Sequence, residues 1–393
     1  MPRKYKLIVV SDKKTKREFL QFPVRLYANE KAWIRPLDED IEKVFDPRKN
    51  DYFAGGEAIR WILIDGEGHT VGRVAAFCHY ETALKDEQPT GGMGFFECLD
   101  DHDAAFLLFD TCKQWLSERN MEAMDGPVNF GDRHTFWGLL VDGFIEQSYC
   151  IPYNFPYYRN LFEDYGFINY YNQFTYHRWL VEEGLSSTMK SKAERIFGNP
   201  SYRFEHIDKK KLEQVKHEFR SVYNRAWAKF PGVVELTEEY TNAMVNSIKP
   251  ILDDRLVWFG YYNDEPIAFF IGLPEINQVI RYLNGRRDLI GMMKFLYYLK
   301  IRRSVTKIVA FLFGVVSEHQ GKGIESAMVI AWSRMALRDG FPYKELELNW
   351  IGDYNLPMIH LVSQIGCTRV KTHATYRYLF DRRKEFTRAR LSF

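Results

Sequence analysis

The sequence has 393 residues, of which 46% are hydrophobic and 27% charged, and its formal net charge is +2 at pH 7. A chain of this length can form two domains, each with its own core. The composition is that of a soluble globular protein, and the near-neutral charge argues against a molecule dominated by a nucleic-acid-binding surface.

The N-terminal residues and the cysteines predict a cytoplasmic protein. The first apolar run, Leu7 to Val10, has four residues, which is too short for a signal peptide. No stretch approaches the roughly 20 apolar residues that a membrane span needs. The five cysteines are odd in number and form no Cys-x-x-Cys pair. We therefore expect reduced, mostly buried thiols, as in proteins of a reducing compartment.

The two halves of the chain carry the same landmarks, about 200 residues apart. Each half has two apolar strands joined by a polar turn, followed by an Asn-x-Pro motif, a glycine and a Thr-Tyr pair. The landmarks are Asn154, Gly166 and Thr175 in the first half and Asn355, Gly366 and Thr375 in the second. The repeat predicts two domains of one fold, 1–190 and 200–393. The segment from 182 to 199 is the predicted linker.

The first half is predicted to lack a phosphate site. Its central strand, GGMGFFECL, is followed by three acids around a histidine, Asp100 to Asp103, directly before a helix from Ala104 to Glu118. Acids stabilise the start of a helix, but they would repel a pyrophosphate. The first copy is therefore interpreted as a degenerate version of the second.

The second half is predicted to begin with a strand (Tyr202–Ile207), two helices (Lys211–Lys229 and Thr237–Leu252) and a strand hairpin. A basic insertion, GMMKFLYYLKIRR at 291–303, follows the hairpin. We interpret it as a packed helix with a solvated basic edge. The alternative is a contact with an acyl chain or an acyl-carrier protein.

A strand, a glycine-containing loop and a helix then follow in a pattern suited to a phosphate. Ile308 to Val316 is a continuous apolar run, and apolar residues recur at three- and four-residue spacing from Ile324 onward. Gly321 and Gly323 let the backbone approach a ligand closely. The N–H groups at the helix start, with Lys322, would attract an anion.

The loop lacks the Gly-Lys-Ser/Thr of nucleotide-binding loops and the three glycines of dinucleotide folds. It resembles the pyrophosphate loop of the GNAT acyltransferase superfamily, Gln/Arg-x-x-Gly-x-Gly/Ala, with Gln320 and Gly323 in register. Glu325 departs from the family pattern, which has Gly or Ala there. A second motif of that superfamily, an Asn after the fifth strand and a Gly eleven residues later, matches Asn355 and Gly366.

The resemblance, which covers about residues 200–380, implies an α/β fold with a mixed sheet in two tandem GNAT-like acyl-CoA N-acyltransferase domains. It implies acetyl-CoA or another acyl-CoA as co-substrate and no metal. The central strand would pair with the pantetheine arm, the loop would hold the pyrophosphate, and Asn355 would bridge to the cofactor. The implied cofactor-binding residues are Phe313, Gly314, Val315, Val316, Gln320, Gly321, Lys322, Gly323, Ile324, Ser326 and Asn355.

Acyl transfer to an amine requires a proton acceptor. An alkyl amine with a pKa near 10.4 must lose its proton at pH 7, at a cost of about 4.6 kcal/mol. Many GNAT members place a Tyr seven residues after the Asn to protonate the thiolate, but Val362 occupies that position. The candidate catalytic residues are Glu347 on the fifth strand, Glu275 after the hairpin, and Tyr376 on the last strand.

These features predict a coenzyme A dependent N-acyltransferase, with acetyl as the expected acyl group and the amine of a small metabolite as acceptor. One alternative is an amino-acid N-acyltransferase that uses a longer acyl chain delivered by a carrier protein. Another is a catalytically silent acyl-CoA-binding protein, suggested by Glu325 and Val362. Neither nucleic acid nor a membrane span enters any of these predictions.

Overall fold

The computed structural model describes residues 5–84, 88–227 and 235–389. The two ends of the predicted domains, 1–4 and 390–393, and the last two residues of the predicted helix Lys211–Lys229 lie outside the described residues. The strands are β1 (Lys6–Val9), β2 (Gly56–Ile64), β3 (Thr70–His79), β4 (Thr90–Cys98), β5 (Ala123–Gly126), β6 (Leu139–Asp142), β7 (Ile168–Trp179), β8 (Tyr202–His206), β9 (Val257–Tyr262), β10 (Glu265–Pro274), β11 (Lys307–Val315), β12 (Glu345–Gly352) and β13 (Thr368–Leu379). The α-helices are α1 (Lys13–Leu26), α2 (Asp38–Val44), α3 (Tyr80–Ala83), α4 (His102–Ser117), α5 (Tyr158–Tyr165), α6 (Ser187–Phe197), α7 (Leu212–Trp227), α8 (Glu238–Ile248), α9 (Asn277–Ile280), α10 (Leu289–Leu296), α11 (Ile324–Ala336) and α12 (Leu356–Gln364).

All of these strands belong to one mixed sheet in the order β1-β2-β3-β4-β5-β13-β7-β12-β11-β10-β9-β8, with β6 paired to β13. The pairs β4–β5 and β11–β12 are parallel, and the other pairs are antiparallel. The predicted α/β fold with a mixed sheet is thereby confirmed. Helices of both halves pack on this common sheet.

The two halves exchange their last strands. β13, from the end of the chain, pairs with β5 of the first half, where Tyr376 lies opposite Gly126. β7, from the first half, pairs with β12 of the second, where His177 lies opposite Glu347. The predicted boundary between 190 and 200 therefore separates the chain into halves whose sheets interlock.

The segment from 182 to 199, predicted as a linker, contains the helix α6. Ser186 caps its start by accepting a hydrogen bond from the Met189 N–H at 3.1 Å. The apolar side chains of Met189, Ala193 and Ile196 recur on one face and are buried. This face packs against α11, so the connection between the halves is part of the second core.

The parallel pair β11–β12 opens partway along its length. Pairing runs from Lys307 and Glu345 to Ala310 and Leu348, and no pairs follow beyond them between these strands. A bulge at Phe311 interrupts the register of β11 with β10. Trp350 in β12 has a positive φ of 65°. Both irregularities turn the strand ends apart, leaving an open wedge between them.

The first half contains the same opening. β4 and β5 pair only from Thr90 with Ala123 to Gly92 with Asp125. Each copy thus has a wedge at the middle of its own part of the sheet. Only the second copy follows its wedge strand with the glycine loop.

Candidate functional site

The loop after β11 presents backbone N–H groups at the start of α11. Gly321 and Gly323 have φ values of +71° and +98°, a region that favours glycine. Gln320 fixes the loop by donating from Nε2 to the Val315 carbonyl at 2.9 Å. No described side chain caps the start of α11. Among the described residues, the first hydrogen bond within the helix is donated by the Ala327 N–H to the Gly323 carbonyl at 3.0 Å. The N–H groups of Ile324 to Ser326 therefore remain available to an anion.

Cations from a second element surround this loop. Arg195 of α6 donates from Nη2 to the Lys322 carbonyl at 3.0 Å. Lys192, one turn earlier on α6, lies against Gly323, and the Lys322 side chain is exposed beside them. Glu325 is the acid of the first turn of α11 and is half-buried. Sequence reasoning missed Lys192 and Arg195 because their segment was interpreted as a linker.

The other predicted cofactor-binding residues lie around the wedge. Phe313, Gly314 and Val315 form the end of β11 that has no pairing with β12 in the described structure. Val316 follows them, and its N–H donates to the Ile267 carbonyl at 2.9 Å. Asn355 begins α12 and accepts a hydrogen bond on Oδ1 from the Met358 N–H at 3.2 Å. Their binding of a cofactor stays a prediction.

An apolar cavity lies between α11 and α12 on one face of the wedge. Its helix walls include Met328 and Ala336 from α11 and Met358 and Leu361 from α12. Met328 to Ala336 spans about 12 Å of helix at 1.5 Å per residue. The cavity is suited to an extended hydrocarbon chain.

Glu347 lies on the opposite face of the sheet and is almost fully buried, with 2% exposure. Its carboxylate bonds Lys371 Nζ at 2.6 Å and Lys307 Nζ at 2.8 Å, and accepts a hydrogen bond from Ser148 Oγ at 2.8 Å. Burial by itself would raise the pKa of Glu347, but the charges of Lys371 and Lys307 outweigh it and lower that pKa to about 2. A carboxylate held in this way is a poor proton acceptor, so the contacts favour a structural role over the predicted catalytic one.

Glu275 is also enclosed. Its Oε1 accepts hydrogen bonds from the Tyr149 N–H at 3.0 Å and the Asn277 N–H at 2.9 Å. Burial, then the nearby charge of Glu347, raises the pKa of Glu275 to about 7. Its Oε2 has no partner among the described residues. The pKa suits a base, but the Glu275 N–H bonds the Lys307 carbonyl at 2.9 Å, which places this residue at the paired start of β11 and not at its open end.

Tyr376 lies in the core of the first half because β13 is exchanged. It is 2% exposed, packs against Phe162 and donates from its hydroxyl to Glu163 Oε1 at 2.8 Å. Burial, then this hydrogen bond, raises the pKa of Tyr376. These contacts again favour a structural role over the predicted catalytic one.

A histidine of the first half lies at the wedge of the second. The His134 ring contacts the rings of Phe311 and Trp350, with centroids 6.3 and 6.4 Å away. Its backbone N–H donates to Asp132 Oδ1 at 3.0 Å, and its Nε2 lies 3.9 Å from the same oxygen. Sequence reasoning did not identify His134, because 177 residues separate it from Phe311 in the chain.

Two buried polar atoms on β12 also lack partners in the part of the chain that the structure describes. They are Asn349 Oδ1 and Trp350 Nε1, at the position where β12 leaves β11. Buried polar groups are rarely left unpaired. Their presence at the opening is consistent with a ligand group that completes the wedge.

No family model matches the chain. A protein of Caulobacter vibrioides named bacterial ceramide synthase is 28% identical over 367 residues, covering 92% of this chain and 94% of that protein. Protein YghO of Escherichia coli K12 is 26% identical over 370 residues, covering 92% of both chains.

A solved structure described as a tandem GNAT protein from the clavulanic acid biosynthesis pathway superposes with a TM-score of 0.54. The match covers 97% of this chain and all of that one at 10% identity. The chain therefore has a tandem GNAT-like acyltransferase fold, as the sequence motifs predict.

Proposed function

We propose that the protein is an N-acyltransferase that transfers a long acyl chain from acyl-CoA to the amine of an amphipathic acceptor. The apolar cavity between α11 and α12 carries this proposal, since its lining is almost entirely apolar and follows about 12 Å of α11, which is longer than an acetyl group. A relative named a ceramide synthase supports it, because a ceramide is the amide of a fatty acid with a long-chain amino alcohol. Acetyl, which the resemblance to the superfamily implies, is the second candidate for the transferred acyl group.

In this reaction the neutral amine attacks the thioester carbonyl carbon. A C–N bond forms, the C–S bond breaks, the amine loses one proton and the departing thiolate gains one. The free N–H groups of the loop would hold the pyrophosphate, with Lys192, Arg195 and Lys322 adding charge. The acyl chain would lie in the cavity, and the amine would enter from the His134 side of the wedge.

A thiol-release assay tests the proposal on the full chain. It combines acetyl-CoA, decanoyl-CoA and palmitoyl-CoA with a long-chain amino alcohol, an amino acid and a polyamine. The expected result is the highest kcat/KM with a long acyl-CoA and the long-chain amine. Preference for acetyl-CoA would contradict it. Binding of every thioester without thiol release would favour the silent acyl-CoA-binding protein.

Filling the cavity is expected to shorten the accepted acyl chain. Ala336 lines the cavity and is buried, so Ala336→Phe places a ring where the distal carbons would lie. We expect kcat/KM for palmitoyl-CoA to fall at least tenfold while acetyl-CoA is affected by less than twofold. Ala331→Phe, on the same helix but away from the cavity lining, is the control. Equal losses for both chain lengths would place the acyl group elsewhere.

We further propose His134 as the proton acceptor, because an imidazole is the side chain best suited to this step near neutral pH. His134→Gln is expected to lower kcat about 100-fold with the Kd for acyl-CoA unchanged, measured by steady-state kinetics and calorimetry. His102→Gln is the matched control, since the His102 side chain is 52% exposed and 3.7 Å from Asp164, against 53% and 3.9 Å from Asp132 for His134. Equal kcat values in both variants would exclude His134.

A further inference from the structure

The inserted segment before β11 is the most apolar exposed surface of the described chain. It consists of α10 and a single π-helical turn, Tyr297–Ile301. Seven of the 21 exposed large apolar side chains fall within the thirteen residues 289–301. They are Leu289 (76% exposed), Ile290, Met292, Met293 (56%), Leu296, Tyr297 and Ile301 (73%). A helix in water normally turns such residues inward, and a concentrated apolar patch marks an interaction site.

The segment is anchored to the protein. Tyr298 stacks on Tyr282 with ring centroids 3.9 Å apart, and Phe295 and Leu299 pack against the core of the second half. The Gly285 carbonyl, just before the segment, accepts the Asp38 N–H at 3.0 Å. The inward side of the segment is therefore already occupied, and the exposed residues form a separate outer surface.

The same segment is strongly basic. From 286 to 303 it contains six cations and one acid, Asp288, which gives a net charge of +5 (six minus one). Arg286 pairs with Asp288 at 2.5 Å, and Arg287 pairs with Glu39 at 3.4 Å. The other four cations are exposed and have no acidic partner among the residues that the structure describes: Lys294, Lys300, Arg302 and Arg303.

We propose that residues 286–303 bind the surface of an anionic phospholipid bilayer. The apolar side chains would enter the boundary between headgroups and acyl chains, and the four free cations would contact lipid phosphates. A second copy of this chain would bring a like charge of +5 against the patch, which disfavours self-association there. An acidic carrier protein would neutralise the four free cations. It would not account for the exposed apolar side chains on several sides of α10.

The described helices are consistent with binding on the surface, since none is long and apolar enough to cross a membrane. The segment precedes Lys307, the first residue of β11, whereas the glycine loop follows its last residue. Nine residues of strand separate the two by about 30 Å at 3.3 Å per residue. This inference is independent of the reaction proposed above.

Sedimentation with vesicles tests the inference on the full chain. We expect binding to vesicles that contain phosphatidylglycerol, weaker binding to pure phosphatidylcholine, and release by salt from the anionic vesicles. Lys294→Gln with Lys300→Gln and Arg303→Gln should lower partitioning to anionic vesicles roughly 100-fold. Leu289→Ser with Met293→Ser and Ile301→Ser should lower it at least tenfold for both lipids.

The control variants replace exposed lysines and exposed apolar residues that lie outside 286–303. Lys209→Gln with Lys210→Gln and Lys211→Gln removes three exposed lysines, and Val9→Ser with Leu107→Ser removes exposed apolar groups. Both should sediment as the unchanged protein does. Hydrogen exchange of the unchanged protein, with and without vesicles, should show slower exchange at 289–301, a measurement that needs no variant.

Absence of sedimentation with either lipid would overturn the inference. Sedimentation unchanged in both segment variants would do the same. Light scattering that showed a dimer, converted to a monomer by the serine variant, would instead assign this surface to a second copy and overturn the membrane inference.

Discussion

Replacing Gly323 with glutamate is expected to raise the Kd for coenzyme A and its thioesters by more than 100-fold. The new carboxylate would stand at the start of α11, where the free N–H groups of Ile324 to Ser326 would bind the pyrophosphate. It would occupy that position and repel the ligand. At a ligand concentration 100 times the Kd, the unchanged protein should gain about 2.7 kcal/mol of stability, and the variant almost none. Thermal unfolding with and without coenzyme A measures this difference.

Gly340→Glu is a close control. Gly340 follows the other end of α11, has a φ of +82° against +98° for Gly323, and would meet no atom within 4 Å. The two variants carry similar backbone strain and the same added charge, but only Gly323 lies against α6, so its variant should lose more stability without ligand. The comparison therefore uses the shift that coenzyme A produces in each variant. A normal shift with coenzyme A in Gly323→Glu would move the cofactor site away from this loop.

Replacing Glu347 with glutamine is expected to lower the free energy of unfolding by about 3–5 kcal/mol. The reason is Lys371, whose side chain is 2% exposed and whose charge partner is Glu347, 2.6 Å away. Glutamine keeps an oxygen that can accept a hydrogen bond but removes the negative charge, so this buried ammonium loses its charge partner. Denaturant unfolding measures the loss. The double variant Glu347→Gln with Lys371→Met should recover much of it, because it removes both charges.

Glu345→Gln supplies the comparison on the same strand. Glu345 is one pleat away and half-buried, with His177 Nε2 at 3.0 Å and Lys307 Nζ at 4.0 Å. Its loss should cost less than about 1 kcal/mol. If both variants lose equal stability, the buried pair is not the cause.

The ion pair of Glu347 with Lys371 also predicts that the free energy of unfolding falls at acid pH. The pKa of Glu347 is lowered to about 2 in the folded state, so the unfolded chain takes up the proton first as the pH falls. The contribution of Glu347 is complete above its unfolded pKa of about 4.5 and is lost between about pH 4.5 and pH 2. The stability difference between the unchanged protein and Glu347→Gln should shrink in that interval.

The tandem GNAT-like fold could be predicted because its signals are local. The apolar run of β11, its two glycines and the periodic helix lie within 30 residues, and Asn355 with Gly366 lies within the next element pair. The alternation of Leu346 and Leu348 with Glu347 also correctly places them on opposite faces of β12. Short-range patterns of this kind determine the type of an element and its polar side.

The remaining features depend on distant partners. Alternation could not show that Ser148 and Lys371 cover the polar face of β12, which converts Glu347 from a candidate base into a buried ion-pair member. The linker prediction did not include α6, because the charged residues and the Gly198-Asn199-Pro200 stop around it outweighed its apolar stripe of Met189, Ala193 and Ile196. The position of His134 at the wedge and the strand exchange could not be predicted either. Both depend on contacts between residues far apart in the chain, which the spacing of neighbouring residues does not show.

The exchange of β7 and β13 has a consequence for synthesis on the ribosome. β13 ends at Leu379, so β5 cannot gain this neighbour until that residue has been added, more than 240 residues after β5 itself. Until then, β5 and β7 have open edges that can pair with other nascent chains. The twelve-residue β7 is the longer of the two and would be exposed the most. We expect yield in cells to depend on chaperones that shield nascent chains and on the speed of translation between the ends of β7 and β13.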